Sequence, residues 1–362
     1  MIIAIYFVLF FLILRFVVTV FNFVSDPKLR RVSRHYTELV SILIPVRNEE
    51  ANIIDLLLSI QKQDYQDYEV LVLDDNSTDS TYQICSAFAQ NDTRFQIIKG
   101  KELPSGWLGK NYACHQMAKQ AKGEYLMFID ADEQVNDSLI NSAIHRIKLN
   151  KLSLLSLFTN QTMLTMGENM VVPLMHFMLL NLLPVRLVLL VKNTSIAAAS
   201  GQFMFFNAAD YRKNNWHQQV KDNVVEDVEI MRLVKANKLN GEALLANYMI
   251  SCRMYNSYIE SLNGFSKNFL AAFNYSILAF LVFLVLLIGG PILIIITMNL
   301  PLILFTLGLI VLTRVMISLS SGQNALYNVV LHPLQMLSLT IIAYMAIQKY
   351  LTKTNTWKGR RV

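Results

Sequence analysis

Long apolar runs at both ends of the chain, with a polar stretch between them, limit its possible folds more than any other feature. Residues 1–24 are apolar apart from Arg15 and Asn22, and about 20 such residues suffice to cross the hydrocarbon core of a bilayer. The run has neither the basic leader nor the small-residue cleavage site of a secretory signal, so it reads as a retained anchor. Residues 275–298 and 300–318 form two further spans that meet at Asn299. A last run, 327–347, is interrupted by His332 and Pro333. Charged residues make up only 16% of the 362, against about a quarter in soluble domains; this excludes a disordered chain and fits membrane-embedded segments.

The basic residues sit beside the apolar runs. Lys28, Arg30, Arg31 and Arg34 follow the first run, and Lys349, Lys353, Lys358, Arg360 and Arg361 follow the last. The two clusters hold more positive charge than the whole chain's net +6, so the remainder is net acidic. Charge placed this way marks membrane flanks, offers nucleic acid no surface, and puts the segment after the first run in the cytoplasm. Cys85, Cys114 and Cys252 are odd in number and widely spaced. They form neither a disulfide framework nor a zinc spacing, which fits a reducing compartment.

Between the runs, residues 40–268 have globular composition. Apolar runs at 41–46, 69–73, 95–98 and 124–129 predict strands, and periodic segments at 50–63, 77–90 and 111–121 predict helices. This alternation predicts an α/β fold with a mostly parallel sheet, in which ligands bind at the carboxyl ends of the strands. Asp74, Asp75, Asp130 and Asp132 fall at those ends. Residues 163–191 and 257–273 mix apolar residues with charges and prolines, a pattern that suits elements lying in a membrane interface.

Several residues carry the chemistry. Asp130 and Asp132 are carboxylates whose mutual repulsion favours a divalent cation, Mg²⁺ or Mn²⁺, shared with a diphosphate; the plainer reading is a solvated turn. Asp75 can accept hydrogen bonds from a base or a ribose, although helix capping by its neighbours explains part of the same stretch. Glu226-Asp227 opens a helical run, where acids stabilise the N-terminus by about 0.3–1 kcal/mol or serve as a general base. Trp107 and Lys110 surround a loop suited to phosphate, and Arg253 follows an apolar stretch where a headgroup contact is the ordinary role. His217 taken alone is more often a packing residue.

Taken in order, these motifs resemble the family 2 glycosyltransferases, in particular a membrane-bound branch including ceramide glucosyltransferases, hopanoid-associated enzymes and bacterial carotenoid-acid glycosyltransferases. Ser41 to Glu50 resembles their opening strand and nucleotide loop, Val72 to Thr81 their second motif, Asp130-Ala131-Asp132 their metal motif and Glu226-Asp227 their base motif. The resemblance implies a nucleotide-diphospho-sugar transferase (GT-A type) domain over 40–268, between a 1–24 anchor and a 275–350 membrane region with a basic 351–362 tail. It also implies single-displacement inverting transfer from a UDP-sugar-type donor to a hydroxyl or carboxyl of a lipid-like acceptor at the cytoplasmic face of the inner cell membrane. Pro45, Arg47, Asn48, Glu49, Asp75, Lys110 and Asp130 would bind the nucleotide-sugar, and Asp130 with Asp132 the metal. Asp227, with Glu226, would be catalytic, and Trp107, His217 and Arg253 would face the diphosphate or acceptor. The chain departs from that branch at Asn215-Trp216-His217, where a Gly-Gly-His is common, and at Arg253-Met254-Tyr255, where a Gln-x-x-Arg-Trp is common. A polysaccharide synthase and a transporter with a nucleotide-sensing domain are the alternatives. The positive-inside bias favours a re-entrant or interfacial 327–347, which keeps the tail on the catalytic side.

Overall fold

In a computed structural model of the chain, residues 2–352 are described, except for the side chain of residue 268, together with the backbone of 356–357 and 360–361. Lys353 and Lys358 of the basic tail lie outside the described residues. Four strands, β1 (Val40–Val46), β2 (Tyr68–Asp74), β3 (Phe95–Lys99) and β4 (Tyr125–Ile129), form the parallel half of the sheet. The short β5 (Glu133–Val135) follows, then β6 (Leu154–Phe158), β7 (Asn160–Gln161), β8 (Phe203–Asn207), β9 (Gly241–Leu245) and β10 (Ile250–Cys252). The main sheet has the order β3-β2-β1-β4-β8-β6-β9, and β8 is antiparallel to both of its neighbours. The expected mostly parallel sheet is therefore present, with one reversed strand at its centre. β5, β10 and β7 make a small second sheet.

Side chains alternate across each strand, and both faces are covered. Ile42, Ile44, Val70, Val72, Met127 and Ile129 enter one core, facing the helices Ile53–Gln61 and Leu139–Asn150. Leu43, Leu71, Leu73, Leu126 and Phe128 enter the other, with the helix Gly109–Gln120. This second core continues through Leu174, Phe177 and Leu180 to Phe280, Phe283, Ile317 and Leu339. One apolar interior thus runs from the sheet into the terminal helices.

Among the described residues, three helices are long and apolar enough to cross a membrane: Ile2–Ser25, Ile277–Ile296 and Leu300–Ser321. The middle one passes through a π-helical turn, Val285–Gly289, just ahead of Pro291. The 327–347 run divides into Ala325–Val330 and His332–Thr352. The break falls at Leu331, just before His332 and Pro333. The second piece lies along the helix Tyr258–Asn268: the Tyr258 hydroxyl meets Ser338 Oγ at 3.1 Å, and Lys349 Nζ donates to Asn263 O and Ser266 Oγ. The 163–191 stretch folds into three short helices, Met166–Asn169, Leu174–Leu182 and Leu187–Leu190.

The first helix buries a stripe of Val8, Leu12, Arg15, Thr19 and Asn22, a spacing of three and four residues that keeps one face inward. The two residues that interrupt the apolar run are thus its docking groups. Asn22 Nδ2 donates to the carbonyls of Leu180 and Leu183, each at 2.8 Å, and its Oδ1 accepts from Val185 N at 2.8 Å. It satisfies the orphan carbonyls where the Leu174–Leu182 helix ends. Beyond the helix, Leu29 N donates to Leu245 O and Leu245 N to Pro27 O, so the chain joins the free edge of β9.

Replacing Asn22 by Leu makes the first helix more apolar, yet it strands buried backbone groups at about 1–3 kcal/mol each. We expect Asn22→Leu to lower stability by about 2–4 kcal/mol, read as a fall in thermal midpoint of the full-length protein in mild detergent. An unchanged midpoint would show that Asn22 does not dock this helix.

Candidate active site

Beyond the carboxyl ends of β1 and β2 the chain builds two interlocked loops. Arg47 Nη1 donates to the carbonyls of Asp75 and Asn76, at 2.5 and 3.3 Å. Asn48 takes a left-handed backbone conformation (φ 53°). Its N–H donates to Ser77 Oγ and its Oδ1 accepts from Thr78 N, while Glu49 N donates to Thr81 Oγ1. Ser77 and Thr78, expected to cap the following helix, are thus spent on this loop. The helix begins at Thr81, and Asp79 accepts from the Thr81 amide and hydroxyl instead. Pro45, Arg47, Asn48, Glu49 and Asp75 are therefore brought into one wall, and Asp75 is buried within it.

At the end of β4, Asp130 is tied to a lysine. Lys110, in the first turn of Gly109–Gln120, places Nζ 2.7 Å from Asp130 Oδ1 and 3.4 Å from Glu226 Oε1. Gly201 lets these groups converge. A Cβ at that position would lie 3.1 Å from Glu226 Oε1 and 3.2 Å from Lys110 Nζ. Its carbonyl accepts from Lys110, and its N–H donates to Asp227 Oδ2 at 2.8 Å. Asp227 Oδ1 accepts from Val228 N, also at 2.8 Å. Burial pushes Glu226 up to about 7 against the opposing pull of Lys110, and it raises Asp227 as well. Burial likewise acts against the Lys110 charge, but Asp130 and Glu226 hold its ammonium well above the ordinary lysine range.

Asp132 points into a different group. The register of β5 against β10 sets Glu133 opposite Cys252, and one ligand atom each from Asp132, Glu133 and Cys252 lies within 4.8 Å of the others. Cys252 Sγ is 3.3 Å from Asp132 Oδ2. Glu133 is only 1% exposed, and neither carboxylate oxygen has a hydrogen-bond partner among the described residues. Burial and neighbouring carboxylates raise Asp132 to about 6 and Glu133 well above its ordinary value. Unpaired buried carboxylates of this kind are what a divalent cation relieves, so the donor set fits such an ion. Asp132 and Glu133 supply the hard oxygen donors, while Asp130 is held by Lys110.

The remaining expected residues lie farther from this centre. Trp107 packs its ring on Tyr112 and His115. His217 is 2% exposed, ringed by Phe128 and Phe206, with Nδ1 2.6 Å from the Tyr211 hydroxyl; it is a core residue, and burial holds it neutral at about 3. Arg253 donates to Glu168 Oε1 at 2.8 Å, and Glu168 is fully buried in a capping box with Thr165. Glu133, Gly201 and Glu168 were not singled out as site residues in the sequence, and Cys252 was read only as one of three widely spaced cysteines without a metal spacing. The acid after Asp130-Ala131-Asp132 and the Cys252-Arg253 adjacency were the available signals.

Residues 41–213 match the family described as glycosyl transferase family 2. Over 112 residues the chain is 30% identical to glycosyltransferase GlyG of Streptococcus pneumoniae, covering 31% of this chain and 36% of that protein. Over 239 residues it is 24% identical to 4,4'-diaponeurosporenoate glycosyltransferase of Staphylococcus haemolyticus, covering 64% and 61%. The chain thus spans less than two thirds of the length of these curated relatives. Among solved structures, mannosyltransferase PcManGT of Pyrobaculum calidifontis in complex with GDP-Man and Mn²⁺ superposes over 97% of this chain and 100% of that one. The TM-score is 0.57 at 13% identity, a likeness of fold. The mostly parallel sheet with loops gathered at its carboxyl edge is thus of the GT-A-like class. The chain carries a family 2 glycosyltransferase domain.

The raised acids make a stability prediction with a definite sign. A carboxyl whose folded pKa exceeds its unfolded value costs stability once it ionises. The contribution of Glu226 is therefore most favourable below about pH 4.5 and is lost as pH rises through about 7. In EDTA the thermal midpoint of the wild type, taken relative to that of Glu226→Gln, should fall from pH 5 to pH 8. Buried neutral histidines such as His217 act with the opposite sign but are common to both proteins, so the difference removes them. An identical slope in the variant would show that Glu226 is not the buried titrating acid.

Proposed function

We propose that the protein transfers a sugar, with inversion, from a nucleotide-diphosphate donor of the UDP-sugar type to a hydroxyl or carboxyl of a lipid-like acceptor. The observation that carries this reading is the convergence of Lys110, Asp130, Glu226 and Asp227 beside the Asp132–Glu133–Cys252 group, at the carboxyl edge of a sheet whose core continues into apolar helices. The family domain and the Staphylococcus haemolyticus relative support it.

In this reading the loop wall of Pro45, Arg47, Asn48, Glu49 and Asp75 receives the nucleoside. Asp132 and Glu133 hold Mg²⁺ or Mn²⁺, which when bound offsets the charge of the diphosphate. The acceptor oxygen attacks the anomeric carbon, the bond from that carbon to the diphosphate oxygen breaks with its electron pair, and the nucleoside diphosphate departs. A carboxylate acceptor attacks without losing a proton; the proton of a hydroxyl acceptor goes to Asp227. It is less buried than Glu226, and backbone N–H groups hold both of its oxygens in place, so its remaining lone pairs are aimed without cost at the moment of reaction. Lys110 sits between Asp130 and Glu226 and adds positive charge near the leaving group.

Asp227→Asn should leave folding and donor affinity unchanged and lower turnover by about 10²–10⁴-fold. Asp132→Ala should lose transfer and also lose Mn²⁺ binding measured by paramagnetic resonance. A near-normal rate in a folded Asn variant would sink the assignment of the base, and retained Mn²⁺ affinity in the Ala variant that of the metal.

We infer further that the catalytic domain is cytoplasmic and that His332–Thr352 is interfacial. Its hydrogen bonds to the Tyr258–Asn268 helix support that placement, as does the basic tail that follows it. A cysteine at Thr352, in a variant lacking the native cysteines, should resist an impermeant thiol reagent in intact cells and react after lysis. Labelling of intact cells would mean that this helix crosses.

A further inference from the structure

Two arginines are buried within segments apolar enough to span a membrane. Arg15 on Ile2–Ser25 is 7% exposed and Arg314 on Leu300–Ser321 is 2% exposed. Their guanidinium carbons lie 5.5 and 4.5 Å from the centroid of the same ring, Phe177. Neither has an acidic partner among the described residues. Arg314 is satisfied by neutral groups, the Asn328 carbonyl and the Asn328 and Gln335 side-chain oxygens. Arg15 uses only Nε, donating to Asn181 Oδ1 at 2.6 Å, and its two terminal nitrogens have no hydrogen-bond partner among the described residues.

Arg15 lines a narrow cleft, open at its mouth, whose other polar groups are Thr313 and His332. His332 Nδ1 is buried and unpartnered. The walls are apolar, with Leu12, Phe177 and Leu309 among them. Neutral amides satisfy donors but do not neutralise charge, and two cations sharing one aromatic ring repel each other. Charged side chains at membrane depth characteristically face a cavity and mark a site for a counter-charge. A guanidinium with both terminal nitrogens free presents a fork that matches a carboxylate or phosphate. Apolar walls around that fork suit a hydrocarbon chain.

We propose that this cleft binds the anionic head, a carboxylate or a phosphate monoester, of a single-chain membrane amphiphile. Arg15 makes the paired hydrogen bonds, His332 donates from Nδ1, Arg314 adds its field, and the first carbons of the chain lie along Leu12 and Leu309. The site is separate from the carboxylate cluster and does not depend on the transferase reading.

Native mass spectrometry of the full-length protein in neutral detergent, without nucleotide-sugar, tests this with four probes: dodecyl phosphate, dodecanoate, dodecanol and inorganic phosphate. One dodecyl phosphate, one dodecanoate, or either in competition should bind per chain, and the stronger of the two names the head group. Arg15→Gln should weaken that binding at least tenfold. Leu309→Trp, which fills the cleft and keeps Arg15, should block binding as well. Equal binding of dodecanol would make the cleft a plain apolar groove. Displacement by inorganic phosphate at equal concentration would make it a free-anion site. Undiminished binding in both variants would make the arginine purely structural. Each of these results overturns the proposal.

Discussion

The site depends on one ammonium group. Lys110 lies between the end of β4 and the start of the Glu226–Ala236 helix, and it neutralises acids that come from both. Without it Asp130, Glu226 and Asp227 would face one another across a buried gap. Breaking a buried pair of this kind costs about 3–5 kcal/mol. Gly201 is part of the same constraint, because a Cβ there would press on both Glu226 Oε1 and Lys110 Nζ. Once Asp130 is committed to Lys110, the second acid of the motif is the one left for other work. Asp132 turns instead toward Glu133 and Cys252.

That division gives the cluster two electrostatic halves. On the Lys110 side one ammonium offsets part of the charge of three acids, and Asp227 is fixed by backbone N–H groups rather than by a counter-ion. On the Asp132 side negative charge is in excess and partly unpartnered. A diphosphate brought between them would meet a cation on one side and a cation-demanding donor set on the other. The burial that raises the carboxyl groups also removes competing water, which strengthens every charge interaction there.

The second constraint is the continuity of the interior. The Leu174–Leu182 helix is anchored by Asn22 and Arg15 from the first helix, and it supplies Phe177 to the core that begins beneath the sheet. Pro27 to Leu29 then pair with Leu245 at the sheet edge. The apolar ends and the α/β domain are thus joined through specific polar bonds as well as through packing. Arg253, held by the buried Glu168, extends the link from β10 to the helix that precedes Leu174.

Periodicity is a local property, so the alternation of strands and helices over residues 40–129, their boundaries to within a few residues, and the long apolar helices at both ends were legible in the sequence, whereas the strands from β5 to β10 were not. The acids at strand ends were legible too, since a strand's carboxyl end is fixed once the strand is. Which acid meets which partner was not legible, because that depends on contacts across long stretches of chain. The pairing of Lys110 with Glu226, the register that sets Cys252 against Glu133, and the use of Glu168 for Arg253 arise only when the sheet closes. Arg15 and Asn22 looked like interruptions because a single helix gives no reason to bury them. His217, placed toward the diphosphate or acceptor only by the resemblance, is enclosed by the rings of Phe128, Phe206 and Tyr211, which gather around it only in three dimensions. The sequence by itself determined the fold class and the inventory of charged groups, since both follow from spacing along the chain; the tertiary structure alone decided their charge balance, because electrostatic energy depends on distance and burial in space.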